Sequence, residues 1–226
     1  MKGYTLITPN AGHATYLLDM SGQVAHAWEH PQMRGFYARL MPSGNILLLG
    51  TDSSIKPPEI PERAAPAFDV NIRRIGGNAT HIQELDWDGN VVWEYENQAI
   101  HHDFVPLPNG NILTNQFVEL PGDVERSVRG GYRERYLGPM LSDDFVEVDR
   151  KGKEVRRVSL WKLLDPARDP ICPLERRVEW THTNSLDVNA EGELLFSCRL
   201  NSRIGIISAD GTEMRWKWGF PTISHQ

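Results

Sequence analysis

Residues able to handle an anion gather in one stretch, 180–207, which reads W-T-H-T-N-S-L-D-V-N-A-E-G-E-L-L-F-S-C-R-L-N-S-R-I-G-I-I. Residues 183–188 and 193–200 favour strands, and Asn189-Ala190-Glu191-Gly192 between them supplies turn chemistry. His182 and Asn184 are two apart, so on a regular strand both side chains leave the same face. Arg199 follows on the returning strand, which an antiparallel hairpin brings back beside that pair. An imidazole, an amide and a guanidinium on one face make an anion-binding set. Without such a set, His182 is an ordinary strand histidine and Arg199 a surface charge.

The W-x-H-x-N-S motif followed by S-x-R resembles the bacterial arylsulfate sulfotransferase family. That resemblance implies a six-bladed β-propeller. The implied activity moves a sulfuryl group from one phenol to another through a sulfated histidine, with no nucleotide donor and no cofactor. A second motif, I-H-H-D-F-V-P-L-P-N-G-N, takes the corresponding place in an earlier repeat. Aligning hairpins on their glycines sets His102 eight residues before Gly110 and Asn184 eight before Gly192. The resemblance therefore implies that His102, His182, Asn184 and Arg199 hold the sulfuryl oxygens, with His101 as the alternative to His102. Preorganised donors of this kind stabilise the charge that develops as the phenolate leaves. The nucleophile in the family is a separate histidine following glutamine, which here falls just beyond Ser224-His225-Gln226.

An aromatic substrate calls for aromatic walls, and Phe36, Tyr37, Tyr132 and Tyr136 are the candidates. The alternative for each is ordinary packing. A different reading of the histidines is also open. His81, His102, His182 and His225, with His13 and His101, would suit iron, copper or zinc if they met on a propeller axis, and the protein would then be a metal-dependent redox enzyme, lyase or hydrolase. A third reading is a propeller that only binds partners. His26 and His30, flanking Trp28, read as surface residues.

These side chains need positioning, and internal repetition supplies it. One unit is a strand ending in Asp, a glycine turn and a strand carrying an aromatic or aliphatic residue. It occurs at 16–28, 82–93, 145–155 and 204–216, with turn glycines Gly22, Gly89, Gly152 and Gly211 spaced by 67, 63 and 59 residues. A second hairpin unit alternates with it, turning at Gly44, Gly110 and Gly192. Two hairpins per period predict an all-β β-propeller of four-stranded antiparallel blades, laid out here as a single partial domain with blades near 1–75, 76–140 and 141–203 and another starting at 204–226. Trp93, Trp216 and Trp218 fall at equivalent strand positions and are expected in blade cores. Residues 55–74, rich in proline and charge, and 120–141, with several Arg and Gly, read as loops. Residues 159–164 (S-L-W-K-L-L) read as one or two helical turns.

Composition excludes several classes. The 226 residues carry 30 Asp and Glu against 24 Lys and Arg, a net charge of -6 with no long basic run, which argues against a nucleic-acid partner. No apolar run approaches the length of a membrane span, and the start, M-K-G-Y-T-L-I, lacks a signal-peptide core, so the expectation is a cytoplasmic protein or, since the resembled family is usually exported, a sequence without its leader. Cys172 and Cys198 lack zinc-site spacing and read as free thiols, with a bridge between them as the alternative. Three periods and part of a fourth fall short of six blades, and the chain stops at G-F-P-T-I-S-H-Q in mid-motif. The expectation is the N-terminal portion of a longer protein, or a chain that self-associates through an uncovered blade.

Overall fold

The computed structural model describes residues 3–55, 75–132 and 138–219. Seventeen strands among these residues form antiparallel sheets, with one small parallel exception. The first sheet joins β1 (Tyr4–Ile7), β2 (Ala14–Asp19) and β3 (Val24–Glu29) in that order. Three four-stranded antiparallel sheets follow. One is β4 (Met33–Leu40), β5 (Ile46–Asp52), β6 (His81–Leu85) and β7 (Val91–Glu96). The next is β8 (Ile100–Pro106), β9 (Ile112–Glu119), β11 (Leu141–Val148) and β12 (Glu154–Ser159). The last is β14 (Thr183–Val188), β15 (Leu194–Cys198), β16 (Arg203–Ile207) and β17 (Met214–Trp218). The expected all-β propeller of four-stranded blades is thus the architecture observed.

The grouping of hairpins differs from the expected blade limits by half a period. Each four-stranded sheet starts with a hairpin turning at Gly44, Gly110 or Gly192 and ends with the next one, turning at Gly89, Gly152 or Gly211. Sheets therefore span 33–96, 100–159 and 183–218 instead of 1–75, 76–140 and 141–203. Hairpin turns are local and readable in sequence, whereas the choice of which hairpins pair is not.

Turn chemistry explains the repeat. Asp86 Oδ1 accepts from the backbone N–H groups of Asp88 (3.0 Å) and Asn90 (2.8 Å), and Gly89 follows at φ 85°. Asp19 and Asp149 do the same in their own turns. At the fourth turn the roles shift: Ser208 takes the Asp position and Asp210 accepts from Thr212. Only a residue without Cβ adopts that φ at no cost, which is why glycine recurs.

Backbone contacts divide the described residues into two compact units, 3–55 with 75–102 and 103–132 with 138–219. The core of the first packs Leu17, Trp28, Met33, Ile46, Leu48 and Leu85. Strand β5 is buried on both faces, so Ile46–Leu49 runs apolar without alternation. The larger core of the second unit includes Phe145, Trp180, Leu186, Phe196 and Ile207. Each unit buries a tryptophan that keeps a hydrogen bond: Trp28 donates to Asp86 O (3.0 Å) and Trp180 to Asp169 O (2.6 Å).

Several expectations are corrected. Trp216 and Trp218 are 49% and 64% exposed and Trp93 is partly exposed, because β7 and β17 are outermost strands and not blade cores. His30 is buried rather than superficial, bonded to Thr15 Oγ1 (3.1 Å) and Met33 O (3.1 Å). Segment 120–141 is more than a loop: it holds helix α1 (Gly122–Ser127) and β10 (Gly130–Tyr132), which pairs in parallel with β13 (Ile171–Arg176). In 159–164 a single 3-10 turn, Leu160–Lys162, is present. Both cysteines are free. Residues 56–74, Tyr136 and His225 lie outside the described residues.

Candidate functional site

In the second unit the W-T-H-T-N-S segment is clamped on both sides. Trp180 N donates to Leu141 O (2.8 Å) at the start of β11, while Leu200 N and Arg199 N donate to Thr181 O and His182 O at 3.1 and 3.0 Å. His182, just ahead of β14, sits in the left-handed region at φ 55°. For a non-glycine residue that conformation costs roughly 1–3 kcal/mol and persists only where the surroundings enforce it. His102, on β8 in the first unit, has the same φ of 55°. Ala11 and Ser202 are the other non-glycine residues at positive φ among those described. The two histidines chosen from sequence are thus also backbone outliers.

The His182 imidazole is buried and hydrogen-bonded through Nδ1–H to Glu179 Oε2 at 2.8 Å. Burial works against its charged form, but the Glu179 hydrogen bond and charge, aided by Asp143, outweigh burial and the opposing Arg199, so its pKa is raised. Beside it, Asp143 Oδ2 accepts from Thr183 N (2.7 Å) and Thr183 Oγ1 (2.6 Å). Ser142 Oγ pairs with Thr181 Oγ1 (3.1 Å), Asn115 Nδ2 reaches Thr183 O (3.3 Å), and Asp103 Oδ2 accepts from Leu186 N (2.9 Å). Asp103 on β8, Asn115 on β9 and Asp143 on β11 thus each hold a backbone or side-chain group of β14. The Cys198 thiol is pushed well up in pKa by burial and then by the nearby Asp143 charge.

The predicted shared face of His182 and Asn184 does not form. Register passes from Thr183↔Cys198 to Ser185↔Ser197, leaving Asn184 as the extra residue of a β-bulge, and it is exposed while His182 is buried. Phe36 is the equivalent bulged residue of β4, between Gly35↔Gly50 and Tyr37↔Leu49. Both bulges lie eight residues before their turn glycine, where His102 stands in β8. Arg199 meets His182 through its backbone N–H, and its charge weighs against the His182 imidazolium. Its guanidinium, half exposed, donates from Nη2 to Glu175 Oε1 (2.8 Å) and Oε2 (3.0 Å) on β13.

In the first unit His101 is fully buried and His102 partly so, with Nδ1 atoms 3.0 Å apart and rings edge-on at 87°. His81 is bonded to Thr80 Oγ1 (2.7 Å) and faces Glu94 at 3.6 Å and Glu96 at 4.0 Å. Phe36 and Tyr37 are partly buried, with Arg39 5.6 Å from the Tyr37 ring centre. Tyr132, on β10 in the second unit, is 43% exposed. Among the described residues no three His, Cys, Asp or Glu side chains gather in a way that could hold a metal ion.

Glu179 and Asp143 escaped the sequence reading. The signal for Glu179 was E-W-T-H, a carboxylate three residues before the histidine. The signal for Asp143 was a pair of acids inside the otherwise strand-like L-S-D-D-F-V-E-V.

Repeated four-stranded antiparallel sheets define a β-propeller protein, and each of its two units carries a histidine in the left-handed backbone region at or just before the first strand of a sheet. The arylsulfotransferase (ASST) family pattern matches residues 5–224, and the chain belongs to that family. No curated protein matches it in sequence. Among solved structures it is similar to hydrazine synthase from Kuenenia stuttgartiensis, at 13% identity and a TM-score of 0.52 over 92% of this chain and 49% of that one. The chain thus spans about half the length of that protein, and the likeness is one of fold. Two others are a protein of unknown function from Bacteroides caccae (13% identity, TM-score 0.39, 96% and 78% covered) and a catalytically inactive virginiamycin B lyase from Staphylococcus aureus with quinupristin (14%, 0.43, 98% and 70%).

Proposed function

We propose that this protein transfers a sulfuryl group between phenolic compounds through a histidine intermediate, without a nucleotide donor. The observation that carries the reading is the buried His182–Glu179 pair inside W-T-H-T-N-S, at left-handed φ, in a chain of the arylsulfotransferase family. In the first half-reaction a histidine nitrogen forms a bond to sulfur as the sulfur–oxygen bond to the aryl group breaks. The bonding pair leaves with the phenolate, which takes up a proton. In the second half the acceptor phenol gives up its proton, its oxygen bonds to sulfur, and the sulfur–nitrogen bond breaks. The migrating group stays anionic throughout, so catalysis consists largely of positioning and charge stabilisation, as in phosphoryl transfer.

With Nδ1–H given to Glu179, His182 meets a ligand through Nε2, and its raised pKa keeps that nitrogen a charged donor over a wider pH range. Arg199 adds a donor within the same unit, and the anion competes with Glu175 for its guanidinium; a donor role for His102 is what the family resemblance implies. Tyr132, in the same unit as His182, is the aromatic group assigned to the phenol. The test is transfer from p-nitrophenyl sulfate to phenol by the complete gene product. Ping-pong kinetics and a burst of p-nitrophenol without acceptor, both lost in His182→Ala, support the reading. Absence of transfer with every phenol tried overturns it.

A further inference from the structure

The adjacent histidines of β8 constrain each other's protons. His101 Nδ1 and His102 Nδ1 are 3.0 Å apart, a hydrogen-bonding distance between two ring nitrogens. A neutral imidazole has one donor and one acceptor nitrogen, so one and only one of the facing Nδ1 atoms carries hydrogen. The rings are therefore held in opposite tautomers. If His102 supplied the shared hydrogen, its Nε2 would bear a lone pair; if His101 supplies it, His102 must carry its proton on Nε2.

We propose that His101 is a positioning residue that donates Nδ1–H to His102 and thereby holds His102 as an Nε2–H donor for an anionic oxygen. The direction of the bond rests on the sulfuryl-transfer reading, in which His102 meets an anion and must donate; the opposition of tautomers does not. Three features support the assignment. His101 is fully buried and His102 only partly, so the ring that reaches ligand is held by the ring that does not. His102 stands at φ 55°, a conformation that aims its ring apart from the regular alternation of the strand. Gly77, at φ 79°, lies so close that a Cβ there would collide with the His102 imidazole, while its carbonyl accepts from His102 N at 3.0 Å. Partner, backbone and covering glycine together fix one ring. Outer partners that fix the tautomer of a ligand-binding histidine commonly contribute ten- to a hundredfold in affinity or activity.

The test is the two-bond proton–nitrogen NMR spectrum of the imidazoles in the ligand-free 226-residue chain, read with the kinetics of the complete gene product. The wild type is expected to show His101 protonated on Nδ1 and His102 on Nε2. His101→Phe removes the donor, so His102 should average between tautomers and KM for p-nitrophenyl sulfate should rise about tenfold or more, with a smaller effect on kcat. His101→Asn keeps a donor near the same place and should restore both the His102 spectrum and KM to within about threefold. Gly77→Ala displaces the ring without altering either histidine and should reproduce the His101→Phe spectrum. Both rings in the same tautomer, His102 protonated on Nδ1, or an unchanged His102 spectrum in His101→Phe would each overturn the proposal. A complete wild-type gene product that turns over no aryl sulfate defeats the sulfuryl-transfer reading instead, and the ligand-free spectra still decide the tautomer.

Discussion

Burial alone would strip the proton from His182; Glu179 returns it. The carboxylate 2.8 Å from Nδ1 stabilises the imidazolium more than desolvation penalises it, and both groups are nearly inaccessible to solvent, so screening is weak. Because the folded-state pKa lies above the ordinary 6.5, the pair adds stability that is complete below the unfolded pKa and fades as pH rises through the folded one. Glu179→Gln keeps an acceptor and removes the charge. The alkaline limb of any activity needing the His182 imidazolium should therefore shift to lower pH, with turnover at the acid plateau little changed. A pH–rate profile of this variant superimposable on wild type would show that Glu179 does not control the proton. Arg199 illustrates the opposite case. Its exposed pair with Glu175 is of the kind worth about 0–1 kcal/mol, so an arriving anion displaces it at small cost.

At the scale of strands and turns, the aspartates that accept backbone N–H groups decide acid behaviour. Asp19, Asp86 and Asp149 are all held below the ordinary 3.8, chiefly by hydrogen bonds within their own turns, and Asp210 is lowered to about 2 by Ser208 and Thr212. A depressed folded-state pKa stabilises above the unfolded value and is lost as pH falls through the folded one. Thermal midpoints should thus fall between pH about 4 and about 2. Replacing these four residues by Asn should lower the midpoint at neutral pH and flatten that acid limb; the same acid limb in the quadruple variant would contradict the turn assignment. The bulges at Phe36 and Asn184 are features of the same scale. One inserted residue reverses which side chains face outward, and it is this that separates Asn184 from His182.

Over the whole molecule the balance of charge opposes the proposed donor. A net charge of -6 repels an aryl sulfate anion at long range, whereas the attraction of His182 and its neighbours is local. Salt shortens the Debye length to about 8 Å at about 0.15 M and screens the long-range part first. For the anionic donor kcat/KM should therefore hold steady or rise modestly between about 0.01 and about 0.15 M salt, while a neutral phenol acceptor responds little. A steep fall for the donor in stopped-flow or initial-rate measurements would reveal a dominant cationic field around the site instead.

What the amino-acid sequence determined by itself is what depends on near neighbours. The Asp-to-Gly turns, the alternating hairpins and the four-stranded antiparallel repeat follow from φ preferences and hydrophobic patterning within a dozen residues. The prominence of His102 and His182 rests instead on the I-H-H-D and W-x-H-x-N-S motifs and their resemblance to the arylsulfotransferase family. Tertiary structure alone decided which hairpins share a sheet, because that pairing joins Gly44 to Gly89 and Gly192 to Gly211 in place of the reverse phase. It also decided the burial of His30 and the exposure of Trp216 and Trp218, which depend on strand order within a sheet and not on strand composition. The partners of the candidate site belong to the same class. Asp143 meets Thr183 across 40 residues and Glu175 claims Arg199 across 24, contacts that no local spacing encodes. Even Glu179, three residues from His182, became its partner only because the chain leaves regular strand geometry at φ 55° and folds the imidazole back to meet it.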